Sequence, residues 1–186
     1  MALPVRGISF EMIAFPCAFL CLLCACASAG PHPATLEVVP RVDLDRYAGR
    51  WYEIASFPQS FQRGCTDSRA DYRLRDDGTV EVLNSCLRDG RVDTAKGKAW
   101  VVDKATGAKL KVSFFWPFRG DYWVIELGEG YEYAVVSAPS RKYLWILSRT
   151  PTMEKQRYQE IVGRLKDKGF DVALLKRTEQ GNRTDW

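Results

Sequence analysis

Two short stretches far apart in the chain constrain the fold most strongly. Gly49-Arg50-Trp51-Tyr52 begins the first strand-like run, and the last run, Tyr143–Pro151, carries Arg149 at its end. Six more strand-like runs lie between them, joined by turns. A Gly-x-Trp strand and a final strand ending in arginine, separated by an antiparallel meander, predict a closed barrel with an indole floor capped by a guanidinium. Such a barrel is a container.

The strand-like runs recur at short spacing and are rich in β-branched and aromatic residues. They cover 51–57, 66–75, 79–87, 91–103, 108–115, 121–127, 131–137 and 142–149. Asp76-Asp77-Gly78 is a strong hairpin signal between the second and third runs. Eight antiparallel strands can close edge to edge and leave room for one small ligand. The predicted fold class is all-β, an eight-stranded antiparallel up-and-down β-barrel.

One C-terminal α-helix follows the predicted barrel. Thr150-Pro151-Thr152 predicts its N-cap, and Gly169 followed by Phe170 predicts its C-cap. One apolar face is formed by Tyr158, Ile161, Val162 and Leu165. We expect this face to pack outside the barrel, on the wall formed by the first and last strands. Residues 172–176 predict a short strand or extended tail.

The N-terminal segment is predicted to be a signal peptide, because residues 12–29 form an uncharged apolar run. Leu23-Cys24-Ala25-Cys26 resembles a bacterial lipobox, in which Cys26 is lipidated, whereas Ala27-Ser28-Ala29 suits ordinary secretion. The lipobox is favoured because it directly follows the apolar run. The predicted domains are a lipoprotein signal peptide (1–25), a tether (26–40), the barrel plus helix (41–178) and a disordered tail (179–186).

Export also predicts the state of the cysteines. Cleavage at the lipobox leaves Cys65 and Cys86 as an even pair in an oxidising compartment, where a disulfide is expected. Closing this loop stabilises the fold by roughly 3 kcal/mol in the chain-entropy model. Counting outward from the Asp-Asp-Gly hairpin places Cys86 nearer Ser68 than Cys65, so we expect a β-bulge near Gly64.

Period-two alternation from an inward Trp51 predicts the interior wall. The predicted ligand-contacting residues are Ala55, Phe57, Ala70, Tyr72, Val82, Val112, Phe114, Tyr122, Val124, Tyr133, Val135, Trp145 and Leu147. Such a wall favours an apolar ligand with a modest polar end. The alternative is a filled core, against which the small Ala55 and Ala70 argue. Trp51 and Arg149 are assigned to the structural floor, and the alternative for Arg149 is pairing with a ligand carboxylate.

Composition argues against several other functions. Lys and Arg total 27 against 23 for Asp and Glu, with no basic run, so nucleic-acid binding is not expected. The one histidine, His32, lies in the Pro-rich tether, which argues against His-based triads and the usual zinc sites. No Gly-rich phosphate loop is present, and neither a cofactor nor a metal is predicted. An enzyme using a pocket cysteine or Glu53 is the alternative to a binding protein.

Four motifs resemble those of the lipocalins, in particular the bacterial outer-membrane lipocalins and the related apolipoprotein D group. They are Gly-Arg-Trp-Tyr-Glu-Ile-Ala at 49–55, Leu-Arg-Asp-Asp-Gly at 74–78, Leu-Lys-Val-Ser-Phe-Phe-Trp-Pro-Phe at 110–118 and Tyr-Leu-Trp-Ile-Leu-Ser-Arg-Thr-Pro-Thr at 143–152. The resemblance covers about residues 36 to 176. A middle motif, often Thr-Asp-Tyr in the family, is replaced here by Gly-Glu-Gly-Tyr-Glu-Tyr at 128–133.

The resemblance implies binding, storage or transport of fatty acids, lysophospholipids or related amphiphiles, without enzymatic activity. It also implies a role in envelope maintenance. The lipobox predicts a lipid such as palmitate on Cys26 and a location at the outer membrane, on the periplasmic side. A periplasmic or secreted protein is the alternative. A third hypothesis is an interaction scaffold that uses the loop Trp116-Pro117-Phe118. Whether a homodimer forms is left open.

Overall fold

A computed structural model of the chain describes residues 35–181. In this range eight strands pair antiparallel with their neighbours, and the first strand pairs with both the second and the eighth. The sheet therefore closes, which confirms the predicted barrel. The barrel strands are β1 Gly49–Ser56, β2 Cys65–Leu74, β3 Val80–Arg88, β4 Arg91–Val101, β5 Lys109–Phe115, β6 Phe118–Leu127, β7 Tyr133–Ser137 and β8 Leu144–Ser148. A short ninth strand, β9 Lys176–Arg177, pairs with the end of β1.

One end of the barrel is closed by the segment that enters β1. A short helix, α1 Leu44–Tyr47, begins after Asp43, whose carboxylate accepts hydrogen bonds from the backbone N–H groups of Asp45 and Arg46. Because consecutive hairpins alternate between the two ends, the β2–β3, β4–β5 and β6–β7 turns also lie here. We call this end the floor.

The other end of the barrel is formed by the remaining connections, and we call it the mouth. The β1–β2 loop contains a 3₁₀ turn, Ser60–Gln62, and is joined there by the β3–β4, β5–β6 and β7–β8 turns. The cavity described below extends from the floor to these loops.

The helix α2, Lys155–Asp167, packs outside the barrel as predicted. Ile161 and Leu165 are fully buried against an outer cluster. Its barrel members are Ile54, Ala55, Ile125, Val135, Leu144 and Ile146. Burial of each large aliphatic side chain of the helix contributes about 1.5–3 kcal/mol.

The prediction for α2 was correct at its C-terminal end and wrong at its N-terminal end. The C-cap prediction is confirmed, because Gly169 adopts φ +80° and the Phe170 N–H donates to the carbonyl of Leu165 at 3.1 Å. The N-cap prediction at 150–152 is wrong. The helix begins at Lys155, after Glu154, which is four residues beyond Thr150, and the Thr150 hydroxyl instead donates to the Thr152 carbonyl at 2.7 Å.

An ion-pair group also attaches α2 to the barrel wall. Glu126 on β6 is buried, and it accepts hydrogen bonds from Arg164 at 2.9 and 3.0 Å and pairs with Lys168 at 3.2 Å. Both cations lie near the C-terminus of α2, where the helix dipole favours positive charge. The helix is therefore held by an apolar face and by a buried carboxylate beside it.

The Cys65–Cys86 disulfide is present, but the bulge that aligns it is not where we expected. The β2–β3 register shifts between Thr66 and Arg69, where Asp67 and Ser68 together stand opposite the single residue Cys86, so the bulge lies there and not near Gly64. Asp67 adopts φ +52°, as a bulge residue can.

The predicted boundaries at both termini need correction. Residues 35–40 were assigned to a tether, yet Leu36 is buried in the outer cluster and the Val39 N–H donates to the Val124 carbonyl at 3.0 Å. Residues 179–181 were assigned to a disordered tail. Glu179 instead accepts from the Asp67 N–H, and the Gln180 side chain donates to two barrel carbonyls. Apolar residues at one end and backbone pairing at the other hold these segments on the barrel.

Predictions for residues 1–34 and 182–186, including the signal peptide and Cys26, lie outside the described residues. Within residues 35–181, no helix is long and apolar enough to cross a membrane.

Candidate ligand-binding site

The barrel floor is built on a stack of Arg149 over Trp51. The guanidinium carbon lies 3.7 Å from the centroid of the indole ring. The guanidinium donates hydrogen bonds of 2.7 to 3.3 Å to the backbone oxygens of Arg46, Tyr47, Arg50 and Tyr131. Burial lowers the pKa of Arg149 from its ordinary value. Its donors are directed to the chain, and it does not line the cavity.

The backbone conformation at the first position of the Gly-x-Trp motif requires glycine. Gly49 adopts φ +92°, and a Cβ atom placed there would lie 3.4 Å from the Arg149 Nη1 atom. A side chain at this position would be strained because of the positive φ, and its Cβ would contact the guanidinium. The glycine therefore lets the chain turn into β1 directly beside Arg149.

A cavity of about 810 Å³ occupies the barrel above this floor. Leu44 and Tyr47 line its inner end, and Phe61, Phe115 and Phe118 line its mouth. The volume falls in the range of small-molecule pockets, and most of the wall is apolar. The filled-core alternative is therefore wrong for this structure.

Eight of the residues predicted to contact ligand do line the cavity. They are Ala70, Tyr72, Val82, Val112, Phe114, Tyr122, Trp145 and Leu147. All lie on β2, β3, β5, β6 and β8, where alternation from the Trp51 anchor holds across the hairpins.

The end of β1 departs from that alternation. The β1–β8 register shifts between Glu53 and Ala55, so Glu53 lines the cavity whereas Ala55 and Phe57 join the outer cluster beneath α2. The prediction that Ala55 and Phe57 contact ligand is wrong. A bulge reverses the facing of every residue after it.

The prediction for β7 is wrong by one residue. Tyr133 and Val135 face outward, where Val135 belongs to the outer cluster and the Tyr133 hydroxyl accepts a hydrogen bond from Arg164 at 3.3 Å. Ala134 and Val136 face the interior instead, and Val136 lines the cavity. The run Tyr-Ala-Val-Val contains no alternation of apolar and polar residues, so the sequence could not fix which face is buried.

Val124 is the remaining exception. It is fully buried in the interior cluster that contains Trp51, but it does not line the cavity. The inward facing predicted for Val124 is therefore correct, but Val124 does not reach the cavity in which a ligand would lie.

Three tyrosines form a hydrogen-bonded row in the lower part of the cavity. The Tyr47 and Tyr122 hydroxyls lie 2.8 Å apart, and the Tyr122 hydroxyl donates to the Tyr72 hydroxyl at 3.1 Å. Tyr47 also packs on Trp51, with ring centroids 4.9 Å apart. Burial raises the pKa of Tyr72 to about 12 and holds the pKa values of Tyr47 and Tyr122 well above the ordinary value. We call this group the tyrosine row.

Glu53 is the one carboxylate in the set considered for catalysis, and its oxygens are occupied. They accept hydrogen bonds from Ser56 at 2.9 Å, Gln62 at 2.7 Å and Thr178 at 2.6 Å. Gln62 in turn accepts a hydrogen bond from the Trp145 indole at 3.1 Å. Glu53 therefore ties the β1–β2 loop and the C-terminal segment to β1.

Other residues that line the cavity were not predicted from the sequence. Tyr47, Phe61 and Gln62 lie outside the strands, so the alternation of strand residues could not find them. The upper wall is more polar than the lower wall and includes Arg69, Asn84, Ser85, Arg88, Asp93 and Thr94.

The cysteine pair lies at the mouth. Both cysteines line the cavity, and Arg88 donates to the Phe61 carbonyl at 2.8 Å and contacts the Cys65 sulfur at 3.4 Å. Bonded to each other, these cysteines supply no free thiol. Within residues 35–181, no group of three His, Cys, Asp or Glu side chains is arranged to hold a metal ion.

The β5–β6 turn places large aromatic side chains in solvent. Phe115, Trp116 and Phe118 are each 77–78% exposed, and the Arg119 guanidinium lies 5.9 Å from the Trp116 ring centroid. We call these three aromatic residues the mouth loop aromatics. They are continuous with the cavity, because Phe115 and Phe118 also line it.

The chain resembles known proteins over most of the described range. Residues 42–180 match the family described as a lipocalin-like domain. The chain is 46% identical over 154 residues to outer membrane lipoprotein Blc of Escherichia coli K12, covering 82% of this chain and 86% of that protein. It is 43% identical over 156 residues to temperature-induced lipocalin-1 of Arabidopsis thaliana, covering 79% and 84%. Identity to bovine apolipoprotein D is 35% over 162 residues, covering 82% of each.

Solved structures show the same fold at lower identity. Insecticyanin from the tobacco hornworm Manduca sexta matches with a TM-score of 0.66 at 21% identity, covering 81% of this chain and 87% of that one. Lobster apocrustacyanin A1 matches with a TM-score of 0.61 at 20% identity, covering 74% and 79%.

The closed barrel, the guanidinium–indole floor and the apolar cavity open at one end define a binding protein for small hydrophobic ligands. The chain belongs to the lipocalin family, in the group that includes the Blc lipoproteins and apolipoprotein D.

Proposed function

We propose that this protein binds and carries fatty acids, lysophospholipids or related single-chain amphiphiles in a bacterial envelope. The observation that carries the proposal is the cavity of about 810 Å³, with a mostly apolar wall and with charged and polar side chains toward the mouth. Each methylene transferred from water to such a wall contributes about 0.8 kcal/mol. A chain that enters the barrel with its charged head at the mouth places its hydrocarbon against the apolar residues and its head beside the polar ones.

A cavity-filling substitution tests this proposal. Ala95 lines the cavity opposite Asn84 on β3, so Ala95→Phe places a ring in the space that the ligand would use. Ala105→Phe is the matched control, because Ala105 is exposed in the β4–β5 turn at the floor. Binding is measured by displacement of a fluorescent fatty acid with palmitate and with a lysophospholipid.

We expect Ala95→Phe to weaken palmitate binding by about tenfold or more, because the added ring removes space equivalent to several methylene groups. Ala105→Phe should bind as the wild type does. Equal binding by both variants, or no binding by the wild type, contradicts the proposal.

We also propose that the protein is anchored to the outer membrane, on its periplasmic side, by a lipid on Cys26 after removal of the signal peptide. The lipobox at 23–26 and the similarity to proteins named outer membrane lipoprotein support this. Mass analysis of the native N-terminus tests it. A lipid-modified Cys26 is expected, and its loss in Cys26→Ser should release the protein from membranes. An unmodified N-terminus at Gly30 contradicts the anchor and favours ordinary secretion.

Binding is a better assignment than catalysis because both candidate groups are engaged. The Cys65 and Cys86 sulfurs are bonded to each other, and the Glu53 carboxylate accepts hydrogen bonds from three side chains. A catalytic thiol requires a free, ionisable cysteine. Thiol titration of the denatured native protein should find neither cysteine free, and two free thiols would favour the enzyme hypothesis.

A second candidate function is contact with a membrane or partner surface through the mouth loop aromatics. The observation that favours it is their exposure of 77–78%. Trp116→Ser combined with Phe118→Ser separates the two functions. Reduced vesicle binding with normal lipid uptake supports a surface-contact role, and reduced uptake with normal vesicle binding supports a lid role.

A further inference from the structure

The tyrosine row carries one hydrogen more than its members can use. Each hydroxyl has a single hydrogen and can both donate and accept. Three hydroxyls joined by two hydrogen bonds use two of the three hydrogens, whichever way the row is oriented. Because Tyr122 donates to Tyr72, Tyr47 donates to Tyr122 and the Tyr72 hydrogen is left over.

No group between residues 35 and 181 accepts the remaining hydrogen of the row. Tyr72 is 9% exposed and lines the cavity. Because the cavity is open at its mouth, water can accept this hydrogen in the empty barrel. An apolar chain that displaces the water leaves the donor unpaired, at a cost of about 1–3 kcal/mol, unless the ligand itself brings an acceptor. The floor of the cavity is therefore not uniformly apolar.

The chemistry of the site favours an uncharged acceptor. A carboxylate offers about four acceptor positions and is costly to bury, whereas the row has one hydrogen to give. Arg149 cannot donate a hydrogen bond to an anion there, because it lies behind Trp51 and its donors are held by backbone oxygens. Burial is the main cause of the raised pKa of Tyr72, and of the nearby charges Glu53 raises that pKa more than Arg149 lowers it, so the charges around the row do not favour an anion.

We propose that the tyrosine row is a subsite for a neutral oxygen on the inner end of the ligand. The ligand class is a long-chain amphiphile with a hydroxyl, ketone or aldehyde group at or near the end of its hydrocarbon chain, its charged head remaining at the mouth. This inference rests on the proposed carrier function and adds the chemistry of the buried end. An unmodified chain binds as well, but it leaves the Tyr72 hydrogen without an acceptor.

The experiment compares saturated fatty acids of about 10 to 16 carbons with their ω-hydroxy counterparts, by displacement of a fluorescent fatty acid from the purified protein. In an apolar pocket the added hydroxyl should weaken binding by about tenfold or more, because it loses its hydration without a partner. In the wild type we expect at least one chain length at which the ω-hydroxy acid binds within about threefold of its parent, or more tightly.

Replacing all three tyrosines of the row with phenylalanine removes every donor with little change in shape. In this variant the ω-hydroxy acid should bind about tenfold more weakly than its parent, and the measured quantity is this ratio compared with the ratio for the wild type. Tyr133→Phe is the control, because the Tyr133 hydroxyl faces α2 outside the barrel, and its ratio should equal that of the wild type.

The outcomes separate the two proposals. If the parent acids do not bind the wild type, the carrier function fails. If they bind, but every ω-hydroxy acid binds the wild type about tenfold more weakly, only the floor subsite is overturned, even when the triple variant does not fold. An unchanged ratio in a folded triple variant also overturns the subsite.

Discussion

Replacing Arg149 with methionine tests the assignment of the floor. The substitution keeps an unbranched side chain, although a shorter one, and removes four hydrogen bonds to backbone oxygens and the stacking of a cation on Trp51. At about 1 kcal/mol net for each of the four hydrogen bonds and for the stacking, the free energy of unfolding should fall by about 5 kcal/mol. A change of that size lowers the unfolding temperature by about 10–20 °C in a domain of this length.

The assay is thermal and denaturant unfolding followed by circular dichroism, with Arg73→Met as the control. Arg73 has a side chain 70% exposed and pairs with Glu81 on the barrel surface. Its removal should cost less than about 1 kcal/mol. Arg149→Lys should fall between, because an ammonium keeps the charge over the indole but lacks the planar fork of donors. If Arg149→Met and Arg73→Met are equally stable, the reasoning about the floor is refuted.

Three further predictions concern other parts of the fold. Burial raises the pKa of Tyr72 to about 12, against about 10 in an unfolded chain. The stability that this group contributes is therefore complete below pH 10, and the free energy of unfolding should fall by about 3 kcal/mol as the pH rises from 10 through 12. Unfolding temperatures and phenolate absorbance measured across this range check it, and a phenolate signal of ordinary pKa from every tyrosine would contradict it. Replacing Cys65 and Cys86 with serine should lower the free energy of unfolding by about 3 kcal/mol, since the disulfide closes a loop of sequence separation 21; equal denaturant midpoints for variant and wild type would show otherwise. Leu165→Ala should lower the free energy of unfolding by about 2–5 kcal/mol yet leave palmitate binding unchanged, because α2 lies outside the barrel. Replacement of the exposed Lys166 with alanine is the control. Weakened ligand binding by the folded Leu165 variant would count against the separation of the outer cluster from the interior cluster.

Alternation predicted the barrel wherever polar and apolar residues take turns along a strand. On β2 and β3, for example, Tyr72 and Val82 are register partners and both line the cavity, as the hairpin signal required. The Gly-x-Trp and arginine motifs likewise predicted the contact between Trp51 and Arg149, because a buried guanidinium needs an aromatic face or hydrogen-bond acceptors beside it. Local pattern was sufficient in these regions.

The errors arise where long-range packing decides the facing of a strand. The β1 bulge after Glu53 lies beside a C-terminal segment more than 120 residues away, in which Thr178 and Gln180 hydrogen bond to β1. No local signal in β1 announces that partner. On β7 both faces are covered, one by the barrel interior and the other by α2, so its sequence is apolar throughout.

The cavity itself could be anticipated only in outline. The sequence indicated an aromatic and aliphatic wall, but Tyr47 enters it from α1 and Gln62 from the β1–β2 loop. The hydrogen bonds between Tyr47, Tyr122 and Tyr72 depend on three separate elements meeting at one depth of the barrel. Such convergence is a property of the closed fold and is not encoded in the spacing of any one strand.

The central claim is that the interior of this barrel is an open apolar site for a single-chain amphiphile. The most direct measurement is a crystal structure of the protein with a bromine-labelled fatty acid, located by the anomalous signal of the bromine. We expect the chain inside the barrel, between Tyr72 near the floor and Trp145 on the upper wall. A bromine signal found only outside the barrel, with the interior filled by the protein's own side chains, would contradict the account.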